Sequence, residues 1–197
     1  MTKILYYLVF SLVWLISLIP YWVLYRISDV LYFVIYYVAG YRKSTVYKNI
    51  RTAFPEKSEQ EVDLIARKFY RHFSDFLVEI AKSIRISTKV FDKRMEQVNP
   101  EIFQELASRN RNFALVSAHY NNWEMLINIP NKMPHDFLVI YRPLRSKVSD
   151  GLSKHMRSRC GAMMHPMESI FREAMKRKTE NKLFGIWFLA DQRPPRN

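Results

Sequence analysis

The segment Ser117-Ala118-His119-Tyr120-Asn121-Asn122-Trp123-Glu124 sets an imidazole and a carboxylate five positions apart. Histidine is the side chain whose ordinary pKa lies nearest neutrality, so it can take a proton from a substrate hydroxyl and return it within one turnover. A carboxylate bonded to one ring nitrogen fixes the tautomer and leaves the other nitrogen free as the base. A spacing of five puts the two side chains on different faces of a straight helix and on opposite faces of a strand. They meet only where the chain turns. Asn121 and Asn122 are turn and N-cap formers, so a strand-to-helix turn is expected there, with Glu124 in the first helical turn accepting a hydrogen bond from His119. Ser117 shares a strand face with His119, but no G-x-S-x-G elbow surrounds it, and it reads as a packing residue. Cys160, the single cysteine, reads as a small buried residue, and His72 and His135 carry no partner pattern.

The elements that must position this pair follow from periodicity. Phe113-Ala114-Leu115-Val116 reads as a buried strand that delivers His119 at its carboxyl end, where sites form in open α/β sheets. Further strands are expected at Phe137–Tyr141, Ala162–His165 and Leu183–Leu189, with helical segments at about 122–129, 147–159 and 167–178. Strands alternating with helices predict parallel strands with crossover helices. Asn99-Pro100 opens a short helix ending near Arg109. Upstream, Ser58 and Glu61 form a capping box. Val62, Ile65, Ala66, Phe69, Phe73, Phe76, Leu77, Ile80 and Ile84 continue it as an apolar stripe, predicting a long helix over 59–84. Its basic face, Arg67, Lys68, Arg71 and Lys82, is either solvated or held against lipid headgroups.

Ile4 to Tyr25 carries no charge, and only Ser11, Ser17 and Pro20 interrupt it. At about 1.5 Å per residue it spans a hydrocarbon core of about 30 Å, so a retained transmembrane anchor is expected rather than a cleaved leader, whose apolar core is shorter. Val30–Tyr41 is too short to span and reads as interfacial, or as packing on the catalytic part. Lys3 alone precedes the anchor, whereas Arg26, Arg42, Lys43, Lys48 and Arg51 follow it, which puts the rest of the chain in the cytoplasm.

The net charge of +13 calls for an anionic partner: nucleic acid, an anionic bilayer, or a phosphorylated or acidic substrate. No nucleic-acid recognition motif is present. One cysteine rules out an internal disulfide and a Cys-based zinc site. Four widely separated glycines rule out a P-loop and a Rossmann fingerprint.

The stretch "ALVSAHYNNWEML", with His119 and Glu124, resembles the HX4E motif of the bacterial late lipid A acyltransferases, the lauroyl and myristoyl type of the lysophospholipid acyltransferase superfamily. Around it, "NIRTAFPEKSEQE" and "FYRHFSDFLVE", "VIYRPL" with Arg142, "MRSRCGAMMHPM" with Arg157 or Arg159 before Gly161, and "FLADQRPP" with Asp191 and Gln192 resemble that family's blocks in order. The resemblance implies an α/β fold of glycerolphosphate acyltransferase type: an N-terminal transmembrane helix over 1–26, a helical segment over 27–98, and a mostly parallel sheet flanked by helices over 99–197. It implies acyl transfer from an acyl thioester, acyl carrier protein or acyl-CoA, to a hydroxyl of a phosphorylated lipid acceptor. No cofactor or metal enters that reaction. His119 would be the base and Glu124 its partner, while Arg142 and Arg157 or Arg159 bind phosphate or the developing oxyanion. Asp191 serves the substrate site or caps its strand. A lysophospholipid or aminolipid acceptor fits the same motif. A membrane-tethered polybasic binding protein without catalysis fits the charge alone. Localisation would be the inner membrane, single-pass, with the catalytic part cytoplasmic. Relatives of this type continue beyond the Asp-Gln block, whereas this chain ends at Asn197. An incomplete core is therefore expected, with Phe184, Trp187 or Phe188 unusually exposed and the cleft around His119 open on one side.

Overall fold

The computed structural model describes residues 2–191. Contacts divide the chain into two compact units, one of residues 13–83 and one of residues 1–12 with 84–197.

In the first unit the expected anchor is broken. α1 (Thr2–Leu18) stops before Pro20, and α2 (Tyr21–Phe33) starts after it. Proline lacks an N–H and disfavours helix at the residue before it. Ile19 N–H closes a tight turn on the Ile16 carbonyl at 3.1 Å, and Pro20, itself extended, offers its carbonyl to Val23 and Leu24 to open α2. The ammonium of Lys82 donates to the Ser17 and Ile19 carbonyls at 2.7 Å each, satisfying acceptors that the broken α1 leaves orphaned. The segments Lys3–Leu18 and Tyr21–Val38 are bent by 118°, and among the described residues no single helix is long and apolar enough to cross a membrane. The single-pass span expected over 4–25 is therefore corrected to a bent pair. Both arms expose large apolar side chains, including Ile4, Leu8, Leu12 and Leu15 on α1 and Trp22, Val30, Phe33 and Val38 along the second arm.

A π-helical turn (Val34–Val38) extends α2, and α3 (Lys43–Ala53) leads to α4 (Glu59–Ser83). The capping box forms as its residue types require: Ser58 N–H donates to Glu61 Oε2 at 2.9 Å, and Glu61 N–H to Ser58 Oγ at 3.3 Å. The buried line of α4 runs through Val62, Ala66, Tyr70, Ser74 and Val78, a strict four-residue step. It displaces Phe69 and Leu77, expected inside, to the exposed side. Polar groups join this line because α2 and the π turn supply partners. Ser28 donates to Asp75 at 2.6 Å, Tyr25 to Glu79 at 2.7 Å, and Tyr70 to the Tyr41 carbonyl at 2.6 Å. Asp63 accepts from Tyr36, Tyr47 and Arg67, which hold its carboxyl below the usual range, the Tyr47 bond first. Of the basic face, Arg67 and Lys82 are thus tied within the unit, and Arg71 reaches Asp29 at 3.4 Å.

The second unit holds α5 (Thr88–Arg94), α6 (Glu101–Ser108), β1 (Phe113–Ser117), a 3-10 segment (Trp123–Lys132), β2 (Asp136–Tyr141), α7 (Lys147–Ser158), β3 (Ala162–Pro166), α8 (Ile170–Thr179) and β4 (Phe184–Leu189). The expected strands form within a residue or two, and every ladder is parallel. The order β1-β4-β2-β3 inserts the last strand between the first two. Leu138, Phe184 and Ile186 bury one sheet face against Ile170 and Ala174 of α8. Phe137 and Trp187 stack on the other at 6.0 Å. β4 is therefore an interior strand. Phe184 and Trp187 are buried, which overturns their expected exposure, and Phe188 is partly covered. The large apolar side chains exposed among the described strand residues are instead on the two edge strands, Val116 of β1 (65% exposed) and Met163 of β3 (37%).

Candidate active site

All four strands point one way, so their carboxyl ends share one edge of the sheet. β1 and β4 are neighbours in register, with Ser117 opposite Leu189. Two residues further along each strand stand His119 and Asp191. The Ala190 N–H bond to the Ser117 carbonyl (3.0 Å) carries the pairing past the last strand residues. Trp187 Nε1–H donates to Ser117 Oγ at 2.6 Å, which settles Ser117 as a structural acceptor.

His119 Nδ1 lies 2.8 Å from Asp191 Oδ1. The hydrogen bond from the ring, together with backbone N–H groups of His119 and of Asp191 itself, holds the Asp191 carboxyl below the usual carboxylate range. An ionised carboxylate only accepts, so Nδ1 is the donor in this bond, and in the neutral ring it is Nε2 that carries the lone pair. The Trp123 ring stands edge-on to the imidazole at 4.8 Å and 70°, limiting its rotation. Both His119 and Asp191 are about one-third exposed at the side chain.

The turn after His119 forms as its asparagines suggest. Asn121 adopts a left-handed φ of 51°, and Asn122 takes the N-cap position of the helical segment that begins at Trp123, without a side-chain capping bond. The helix is 3-10 rather than α and carries Pro130 inside it. Glu124 enters its first turn and is buried. It does not supply the bond expected for the His119 ring. Arg157 of α7 grips it instead, with Nε donating to Oε2 at 2.9 Å and Nη2 to Oε1. The turn aims Glu124 at α7, and the sheet register brings a different carboxylate to the histidine. Arg157 spends two of its five N–H donors on this fork and keeps three.

The two arginines before Gly161 separate by geometry. Arg157 takes the buried carboxylate, whereas the exposed Arg159 donates to the Ile86 carbonyl at 3.2 Å. Gly161, with φ of 87°, reverses the chain between α7 and β3, a conformation that favours glycine. Arg142 follows β2, the strand beside β4, and is exposed at the same sheet edge as His119. Gln192 lies outside the described residues. The direct partnership of His119 with Asp191 was not drawn from the sequence. Its only signal was the Asp-Gln block after the last strand.

The arrangement offers an oriented imidazole and, one residue after the tryptophan against it, a buried carboxylate that holds the Arg157 guanidinium. That combination suits removal of a hydroxyl proton and stabilisation of a developing anion. The model of the bacterial lipid A biosynthesis acyltransferase family matches residues 1–197, the whole chain, and the protein belongs to that family. No curated relative matches it.

Proposed function

We propose that this lipid A acyltransferase family member moves a fatty acyl group from an acyl thioester, acyl carrier protein in the first place, to a hydroxyl of a phosphorylated lipid A precursor, with His119 as the general base. The observation that carries this reading is the His119–Asp191 bond, which engages Nδ1 and so makes Nε2 the basic atom of the neutral ring at the carboxyl edge of the sheet. Nε2 takes the proton of the acceptor hydroxyl as its oxygen attacks the thioester carbonyl carbon. The tetrahedral oxyanion collapses, the carbon–sulfur bond breaks, and the departing sulfur receives the proton back from His119. Asp191 positions the ring and offsets its charge while the proton is held. Arg157, aimed by Glu124, directs its remaining N–H groups at the oxyanion or at an acceptor phosphate, and Arg142 serves the same anionic ligand from β2. Glu124 thereby acts through Arg157. Arg159 has a structural tie and a lesser role.

The bent α1–α2 pair, with apolar side chains exposed along both arms, is the membrane-embedded part, and cations concentrate after it. That distribution favours the cytoplasmic leaflet of the inner membrane. An acyl transfer assay on the purified chain, with acyl carrier protein and coenzyme A thioesters against a panel of lipid A precursors, lysophospholipids and aminolipids, tests the reading by product mass. Loss of product in His119→Ala, with folding intact, supports it. Transfer that survives this change moves the base elsewhere.

A further inference from the structure

Three of the loops at the sheet's carboxyl edge present a large apolar side chain to solvent. Tyr120 follows β1, Leu144 follows β2 and Met167 follows β3, at 83%, 50% and 57% exposure. Each is held out by a defined turn. Asn121 takes a left-handed conformation directly after Tyr120. Asp150 of α7 accepts the Leu144 N–H at 3.0 Å. Ser169 closes the turn over Met167 through its N–H to the Pro166 carbonyl at 3.0 Å. Exposed cations follow Leu144 at Arg145 and Lys147, and the exposed acids on the loops of this edge include Glu168 and Asp191. Asp150 is occupied by Lys154 at 2.8 Å as well as by Leu144.

We propose that this rim docks on an anionic bilayer leaflet, with Tyr120, Leu144 and Met167 set among the acyl chains and Arg145 and Lys147 at the headgroups, so that a lipid hydroxyl reaches His119 without leaving the bilayer. Apolar groups held out by turns along one sheet edge, with cations after the middle one in the chain, match the layered chemistry of a leaflet. The strands that carry the three loops span three inter-strand spacings, about 14 Å in all, and β1 at one side bears the catalytic base. The mouth of the site and the docking face are then one surface. The proposal rests on the lipid-acceptor reading given above, but its test does not require turnover.

Cys160 is the single cysteine and is buried, so surface cysteines can be labelled selectively. The full chain carrying Tyr120→Cys, Leu144→Cys or Met167→Cys receives a polarity-sensitive dye, and Arg111→Cys, before β1 at the opposite sheet end, serves as the reference. On phosphatidylcholine vesicles containing phosphatidylglycerol, the three rim labels should shift to the blue and the reference should not. Arg145→Gln and Lys147→Gln should each weaken the rim shift at limiting lipid by roughly fivefold. In turnover, these two changes should raise KM for vesicle-borne acceptor while kcat holds. Rim labels as water-exposed as the reference, on a chain that sediments with the vesicles, overturn the proposal. So does a rim shift that appears only when an acidic carrier protein is added without lipid. Failure of acyl transfer with the blue shift intact would count against the reaction and leave the docking face standing.

Discussion

His119 Nδ1 stands 2.8 Å from Asp191 Oδ1 across 72 positions of sequence. The bond exists because β4 lies beside β1 in a register that places both residues two positions past a matched pair. Asp191→Asn removes the charge and allows the amide to accept or donate, so the ring loses its enforced tautomer. Turnover should fall by about 10²- to 10⁴-fold, with KM for the acceptor little changed. The pH dependence of stability carries a separate signature. A carboxyl lowered in the folded state stabilises the protein above its unfolded pKa, about 3.9, and loses that contribution as pH falls through the lower folded value. Melting curves of wild type and Asp191→Asn should therefore differ by a constant amount near neutrality and converge below about pH 4. A gap that persists in acid would show that the bond does not lower Asp191.

The Glu124–Arg157 fork is mostly buried, with side-chain exposures of 8% and 20%. Arg157→Ala strands a buried carboxylate and should cost about 3 kcal/mol of stability. Glu124→Leu combined with Arg157→Met replaces both charges by apolar volume and should recover most of that loss, because a buried pair gains little over good packing. Activity should stay absent in the double variant if Arg157 serves the reacting centre. Thermal melts and initial rates on the same preparations separate the two roles. Recovered activity would reduce the fork to a structural tie.

Gly185 faces Phe113 across the β1–β4 ladder, and a Cβ there would fall inside contact distance of the Phe113 ring. Gly185→Ala should destabilise by about 1–3 kcal/mol through overpacking. It should also lower kcat, since a shifted β4 carries Asp191 away from His119. Adding Phe113→Ala opens the space and should restore part of the rate. Unchanged stability in Gly185→Ala would mean the ring swings away freely.

Local chemistry was legible in the sequence and non-local pairing was not. Ser58 and Glu61 announced the start of α4, and Asn121 and Asn122 announced the turn after His119, because each depends on neighbours a few residues away. The partner of His119 depends on strand order, which is decided when β4 inserts between β1 and β2, and no local pattern encodes that choice. The same insertion explains why Phe184 and Trp187, expected to be bare at the end of the chain, are interior. The apolar stripe of α4 misled for a related reason. Tyr70 and Ser74 are buried because Tyr41 and the α4 backbone itself accept their protons, while Phe69 faces outward. Pro20 was visible in the apolar run. Its effect was underestimated because Lys82, more than sixty residues on, supplies the cap that makes a broken helix end tolerable.

The start of α1 belongs to the same compact unit as the sheet, and its contact there runs through α7. Tyr6 lies over Gly151, where a Cβ would come within 2.8 Å of the ring, and Phe10 meets His155 edge-on at 4.9 Å. Both pairs are four residues apart on their helices, so two ridges match. Arg157 leaves α7 six residues after Gly151, about 240° around the helix from the α1 contact. Pressure on one side of α7 is therefore felt on the other, where Arg157 meets Glu124. Gly151→Ala should be tolerated, because the Tyr6 ring is the far end of a mobile side chain. Gly151→Leu cannot be absorbed in that way and should lower kcat by about tenfold, roughly 1.4 kcal/mol of lost positioning. Tyr6→Ala in the Gly151→Leu background frees the space and should return much of the rate, an interaction energy that a double-mutant cycle reads directly. Membrane sedimentation must be measured beside turnover. If the rate falls only in step with loss of the protein from the membrane fraction, α1 acts as a tether alone. A rate that falls while the chain stays bound, and that recovers with Tyr6→Ala, makes α1 part of the scaffold that aims Arg157.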